Sequence, residues 1–120
     1  MKIALTTSGN DLSAPLDSRF GRAPKFLIYD LETNTFEVAD NEQNLNAPQG
    51  AGIQSAQNIT RLGIKALVTG YCGPKAFKVL KAAGIKIYNS NAATVREALD
   101  QYRGNKLSEA SSSDVEGHWV

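Results

Sequence analysis

A chain of 120 residues has room for one hydrophobic core, and its 42% apolar, 21% charged composition excludes a wholly disordered polymer. Thirteen basic against twelve acidic residues leave a formal charge of +1. That balance excludes the strong global field that draws nucleic acid or membrane surfaces, so any anion site has to be local. A single cysteine, Cys72, excludes an intramolecular disulfide and suits a reducing, cytoplasmic setting. Met1 to Thr6 turns polar too soon for a signal peptide, and no apolar run approaches membrane-spanning length.

Lys2 to Thr7 is a β-compatible run that stops at the turn formers Ser8-Gly9-Asn10-Asp11, which predicts a first strand. A long loop follows to Lys25. Phe26 to Leu31 and Phe36 to Ala39 alternate about Thr33-Asn34, as an antiparallel hairpin would. After a second loop, Asn41 to Gly52, the residues Ile53, Ala56, Ile59 and Leu62 mark a helix that Gly63 ends in a left-handed conformation. Ile64 to Thr69 is then a buried strand and Gly70-Tyr71-Cys72-Gly73 a tight loop. Pro74 opens a helix with the stripe Ala76, Phe77, Leu80 and Ala83 before Gly84. Ile85 to Tyr88 reads as a strand, and Asn91 or Thr94 caps a last helix facing inward with Val95, Ala98, Leu99 and Tyr102.

Gly63-Ile64-Lys65 and Gly84-Ile85-Lys86 repeat the order helix end, glycine, strand, which is the punctuation of successive β-α-β units. The expected fold is therefore α/β: a mixed five-stranded sheet, antiparallel at the hairpin and parallel afterwards, with helices on its faces. Residues 1–104 make the single domain. From Asn105 to 120 the composition predicts a flexible tail, although it ends Val115-Glu116-Gly117-His118-Trp119-Val120.

In open α/β sheets, ligands bind beyond the carboxyl ends of the strands, where connections leave in opposite directions. Two loops qualify: the one after strand one, with Ser8, Gly9, Arg19, Phe20, Gly21 and Arg22, and the one with Gly70, Tyr71, Gly73 and Lys75. Their glycines admit close backbone approach, the helix opening at Pro74 points N–H groups and a partial positive charge at the same place, and Arg19, Arg22 and Lys75 add full charges. The natural guest is an anion. A Walker loop is excluded, because the glycine-lysine-serine/threonine element is missing.

Cys72, before a helix amino terminus, is read as a candidate thiolate, either a soft-metal ligand or a redox-sensitive thiol. His118 is the sole histidine and a second candidate metal ligand. One cysteine and one histidine do not complete a tetrahedral zinc site. No catalytic constellation is found, because a triad would have to recruit that histidine from the tail and carboxylates are not clustered for a two-metal site.

Ser8-Gly9, the run Asp17-Ser18-Arg19-Phe20-Gly21-Arg22-Ala23 leading into Phe26-Leu27-Ile28-Tyr29-Asp30, and Gly70-x-x-Gly73-Pro74-x-Ala76-Phe77 leading into Ala83-Gly84-Ile85 together resemble the dinitrogenase iron–molybdenum cofactor biosynthesis family. The likeness covers about Met1 to Tyr102. It implies a ribonuclease-H-like fold and a carrier or scaffold for an iron–sulfur or iron–molybdenum-type cluster or its precursor. It implies no catalysis, and partners limited to the metal–sulfur cofactor and a cofactor-assembly or acceptor protein, without nucleic acid or membrane. Many relatives carry a histidine before Phe-Gly where this chain carries Arg19, so no histidine ligand is carried over. The alternative is a regulatory or protein-interaction domain in which Cys72 senses oxidation or a metal.

Overall fold

The structure is a computed structural model that describes residues 1–41 and 51–110. It contains five strands, β1 (Lys2–Thr7), β2 (Lys25–Asp30), β3 (Thr35–Asp40), β4 (Ala66–Thr69) and β5 (Lys86–Asn89), and three α-helices, α1 (Ala51–Arg61), α2 (Pro74–Ala82) and α3 (Val95–Arg103). The sheet order is β3-β2-β1-β4-β5. β2 pairs antiparallel with β1 and β3, while β1–β4 and β4–β5 are parallel, so the sheet is mixed as expected.

β1 and β4 are buried on both faces, which is why each reads as an apolar or small run rather than an alternating one. One face is covered by α1 and α2, through Phe26, Ile28, Ile59, Leu67, Phe77 and Leu80 among others. The opposite face is covered by α3, through Ile3, Leu5, Val68, Val95 and Leu99. β3, at the sheet's edge, is mostly exposed.

β4 and β5 start one or two residues later than the sequence pattern suggests, because Ile64 and Ile85 belong to the preceding turns. Gly84, at φ +80, closes α2: its N–H reaches the carbonyl of Lys81, and the N–H of Ile85 reaches that of Leu80. This paired closure places Ile85 against Leu80 in the same core cluster before the strand begins. Gly63, at φ +72, holds the equivalent place after α1.

The segment expected to be a tail from residue 105 is held to the sheet over part of its length. Glu109 bridges to Tyr88, the N–H of Ala110 donates to the Ile87 carbonyl at 2.7 Å, and Glu109 lies 3.6 Å from Lys81. An open strand edge offers unpaired backbone groups, and here the chain's own continuation takes one of them, the Ile87 carbonyl. Residues 111–120, including His118 and Trp119, lie outside the described residues. Among those described, no helix is long and apolar enough to cross a membrane.

Candidate functional site

The site is built at the carboxyl ends of β1 and β4, where the chain leaves towards β2 on one side and α2 on the other. The two loops identified in the sequence are laced together there. Arg19 and Tyr71 form a parallel bridge, with the Tyr71 N–H on the Ser18 carbonyl at 2.8 Å and the Phe20 N–H on the Tyr71 carbonyl at 3.1 Å. Below the bridge, the buried Thr6 hydroxyl donates to the Asp17 carbonyl at 2.8 Å and lies 2.9 Å from the Thr69 hydroxyl.

Phe20 opens a single 3₁₀ turn, Phe20–Arg22, and is itself 1% exposed, stacked on Phe26 with ring centroids 5.8 Å apart. It anchors the turn in the core, and the anchor leaves Arg19 and Arg22 on the outside. A second brace comes from Asn41, which is buried. Its amide donates to the Ala23 carbonyl at 2.7 Å and to Ser55 at 2.8 Å, and its oxygen accepts from Asn58 at 2.9 Å.

These supports open a cleft of about 460 Å³, lined by Arg19, Phe20, Gly21 and Arg22, by Gly52 and Ile53 of α1, and by Tyr71, Gly73, Pro74, Lys75 and Ala76. Its volume falls in the range of small-ligand sites. α2 begins at the cleft without a side-chain cap, and Pro74 has no N–H to cover. The first-turn amides of Lys75 and Ala76 therefore lack intrahelical acceptors and present the positive end of the helix. Arg19, Arg22 and Lys75 are exposed; among the described residues no carboxylate lines the cleft and none of the three makes an ion pair. A second hollow of about 400 Å³, bounded by Ser18, Gly70, Ser90 and Asn91, shares Arg19 and Tyr71 with the first.

A model of the family described as dinitrogenase iron-molybdenum cofactor matches residues 1–105. The chain belongs to this family. An uncharacterized protein of Methanocaldococcus jannaschii is 34% identical over 110 residues, 89% of each chain. The apo form of the orange protein from Desulfovibrio gigas superposes with a TM-score of 0.86 at 39% identity, covering 92% of this chain and 93% of that one. A Thermotoga protein named for NifB superposes with a TM-score of 0.77 at 35% identity, covering 90% and 91%.

In this family member the expected site residues divide. Arg19, Phe20, Gly21, Arg22, Tyr71, Gly73 and Lys75 line the cleft together, and Gly70 lines the adjoining hollow. Ser8 and Gly9 line neither. The loop that carries them turns to the α3 face: Leu16 bridges to Thr7 and Pro15 to Thr94, and the carbonyls of Ala14 and Leu12 accept from the first-turn amides of Val95 and Arg96. Gly9 lacks a side chain because Ala14 packs where its Cβ would stand.

The thiolate expected at Cys72 is a correction. Cys72 is 2% exposed within the α1/α2 core, and burial raises its thiol from the usual 9.0 to about 12. Desolvation outweighs the helix end, because the side chain points into apolar packing while the helix amides face the cleft. A thiol so placed is protonated and shielded from solvent rather than the exposed thiolate expected. Among the described residues no group of three or more His, Cys, Asp and Glu side chains is arranged to hold a metal ion, and His118 lies outside them.

Gly52, Ile53 and Asn41 escaped the sequence reading. The helix was expected to start at Ile53, so Gly52 read as loop. In the structure Gly52 lies in α1, where its missing side chain admits close packing, a Cβ there standing 3.3 Å from that of Ala76. Asn41, at the start of a polar loop, carries no signal that it is buried.

Proposed function

We propose that the protein is a carrier or scaffold for an anionic metal–sulfide cofactor or its precursor, seated in the Arg19–Lys75 cleft. The observation that carries this reading is the Arg19–Tyr71 bridge, which gathers two guanidinium groups, a lysine and an uncapped helix end around one hollow that no carboxylate of the described residues lines. Backbone N–H groups and guanidinium forks suit a multiply charged anion with several acceptor atoms. Family membership supports the class of guest. So does likeness to a protein named for a colour whose apo form is a distinct state.

The chemistry of the cleft limits how such a guest is held. Cys72 is buried in the core, and the cleft lining among the described residues offers charge and hydrogen-bond donors to a guest. The guest's metals are then satisfied by ligands it brings with it, and release needs no protein–metal bond to break, as passing cargo to an assembly or acceptor protein requires. No catalytic step is assigned to the chain. The ribonuclease-H-like reading of the fold goes with this proposal and rests on the mixed five-stranded sheet with helices on both faces.

The test is anaerobic purification, followed by reconstitution with iron or molybdenum plus sulfide, read by elemental analysis and visible absorbance. A coloured protein with metal and sulfide in fixed ratio is expected. A folded protein that stays colourless and metal-free would overturn the proposal.

A further inference from the structure

A third cavity, of about 390 Å³, lies at the C-terminal end of α3 and is lined by Leu31, Tyr88, Tyr102, Arg103, Asn105 and Leu107. It shares no residue with the Arg19–Lys75 cleft. Arg103 is held in one pose. Its Nη2 donates to the Tyr29 hydroxyl at 2.9 Å and to Asn34 Oδ1 at 2.6 Å, and its guanidinium carbon stands 4.8 Å from the centroid of the Tyr29 ring. Tyr29 is 5% exposed and fixed in β2, and Asn34, at φ 58, is set in the hairpin turn, so both anchors are rigid. Both use the same nitrogen of the guanidinium, leaving Nη1 and Nε, and among the described residues no carboxylate lies within ion-pair distance.

Beside Arg103 the lining combines two tyrosine rings, two leucines and Asn105. Tyr88 and Tyr102 meet edge to face, centroids 5.2 Å apart at 84°, with Leu31 and Leu107 beside them. Neither tyrosine hydroxyl has a protein partner among the described residues, and burial, with Tyr88 alongside, raises the pKa of Tyr102, so its hydroxyl stays a donor. A pre-oriented guanidinium without a counter-ion calls for a carboxylate, since the planar fork matches two oxygens. Ring edges and leucine methyls call for a planar apolar body. The volume, at the small end of ligand sites, limits that body to one ring or two fused rings.

We infer that this cavity is a second ligand site, independent of the cofactor cleft, and that it takes a small aromatic carboxylate against Arg103. The carboxylate pairs with the free edge of the guanidinium, while the ring lies between the tyrosine pair and Leu107.

The probe is benzoate, titrated into ¹⁵N-labelled full-length protein, with benzamide as its neutral counterpart. Saturable amide shifts at Tyr102, Arg103, Asn105 and Leu107 are expected with benzoate, and binding at least about tenfold weaker with benzamide. Arg103→Gln should weaken benzoate by a similar factor. Because that change also removes the ties to Tyr29 and Asn34, Leu107→Trp is a second variant that fills the cavity without touching them, and it should abolish the shifts in a protein with an otherwise unchanged spectrum. Equal response to benzamide, shifts that never saturate, shifts centred on Arg19 and Arg22, or unchanged binding in Leu107→Trp would each overturn the inference. Cofactor loading of the main cleft is read separately by absorbance, so failure of one site leaves the other testable.

Discussion

Gly70 lies against Ser18 so closely that a Cβ on it would stand 2.5 Å from the Ser18 Cα and nearer still to its carbonyl oxygen. The contact is backbone against side chain, and a backbone pinned by the Tyr71 N–H on that same carbonyl has little room to move. Gly70→Ala should therefore force the two loops apart. Overpacking of this kind costs about 1–3 kcal/mol. The expected result is a lower midpoint in urea denaturation together with loss of cofactor retention, because the cleft is assembled by the bridge that Gly70 permits.

Gly9→Ala makes the complementary case. Its new methyl meets the Cβ of Ala14, a side-chain atom that can be removed. Gly9→Ala should destabilise the protein by a similar about 1–3 kcal/mol, and Gly9→Ala with Ala14→Gly should recover part of it, less the extra chain entropy of the new glycine. Cofactor retention should stay unchanged in both folded variants, since neither residue lines the cleft. Loss of cofactor from a stable double variant would return Gly9 to the site.

The contrast between these two glycines shows what the sequence could and could not convey. Strand and helix positions were legible because burial imposes period on them, as in the stripe Ala76, Phe77, Leu80 of α2. The meeting of the two loops was legible too, because an α/β topology places the ends of β1 and β4 side by side. Ser8-Gly9 looked like part of the site since glycine marks close approach without saying to what. Cys72 was misread for a related reason: chain position gives proximity to a helix end, whereas its protonation depends on which way the side chain turns. Asn41 and Gly52 reach the site through contacts with Ala23, Ser55 and Ala76 that no local pattern encodes.

Charge in the cleft has a separable effect. Arg19 and Arg22 are exposed and make no ion pair among the described residues, so replacing them with glutamine costs little in stability. Each lost charge-assisted hydrogen bond to an anionic guest should weaken its binding about tenfold or more. Cofactor release measured in gel filtration at rising salt should be faster for Arg19→Gln and Arg22→Gln than for the parent protein. Wild-type retention in the double variant would show that the guest is held elsewhere.

Cys72 supplies a pH-dependent prediction whose sign follows from burial. Its thiol titrates at about 12 in the folded protein and at 9.0 when solvated. Between those values the unfolded chain gives up a proton that the folded chain keeps, so the contribution is fully present below pH 9 and is lost as the pH rises towards 12. The slope from this one group approaches about 1.4 kcal/mol per pH unit in that window. Cys72→Ala removes it, at a cost of about 1 kcal/mol at neutral pH for the vacated core space. Urea denaturation of both proteins from pH 7 to 11 should therefore show the wild type losing its advantage and falling below the variant on the alkaline side. The same variant should still take up cofactor, because the thiol faces the core rather than the guest. Parallel pH profiles would mean that the thiol is solvated in the folded state, and loss of cofactor in a folded Cys72→Ala protein would make it a ligand after all.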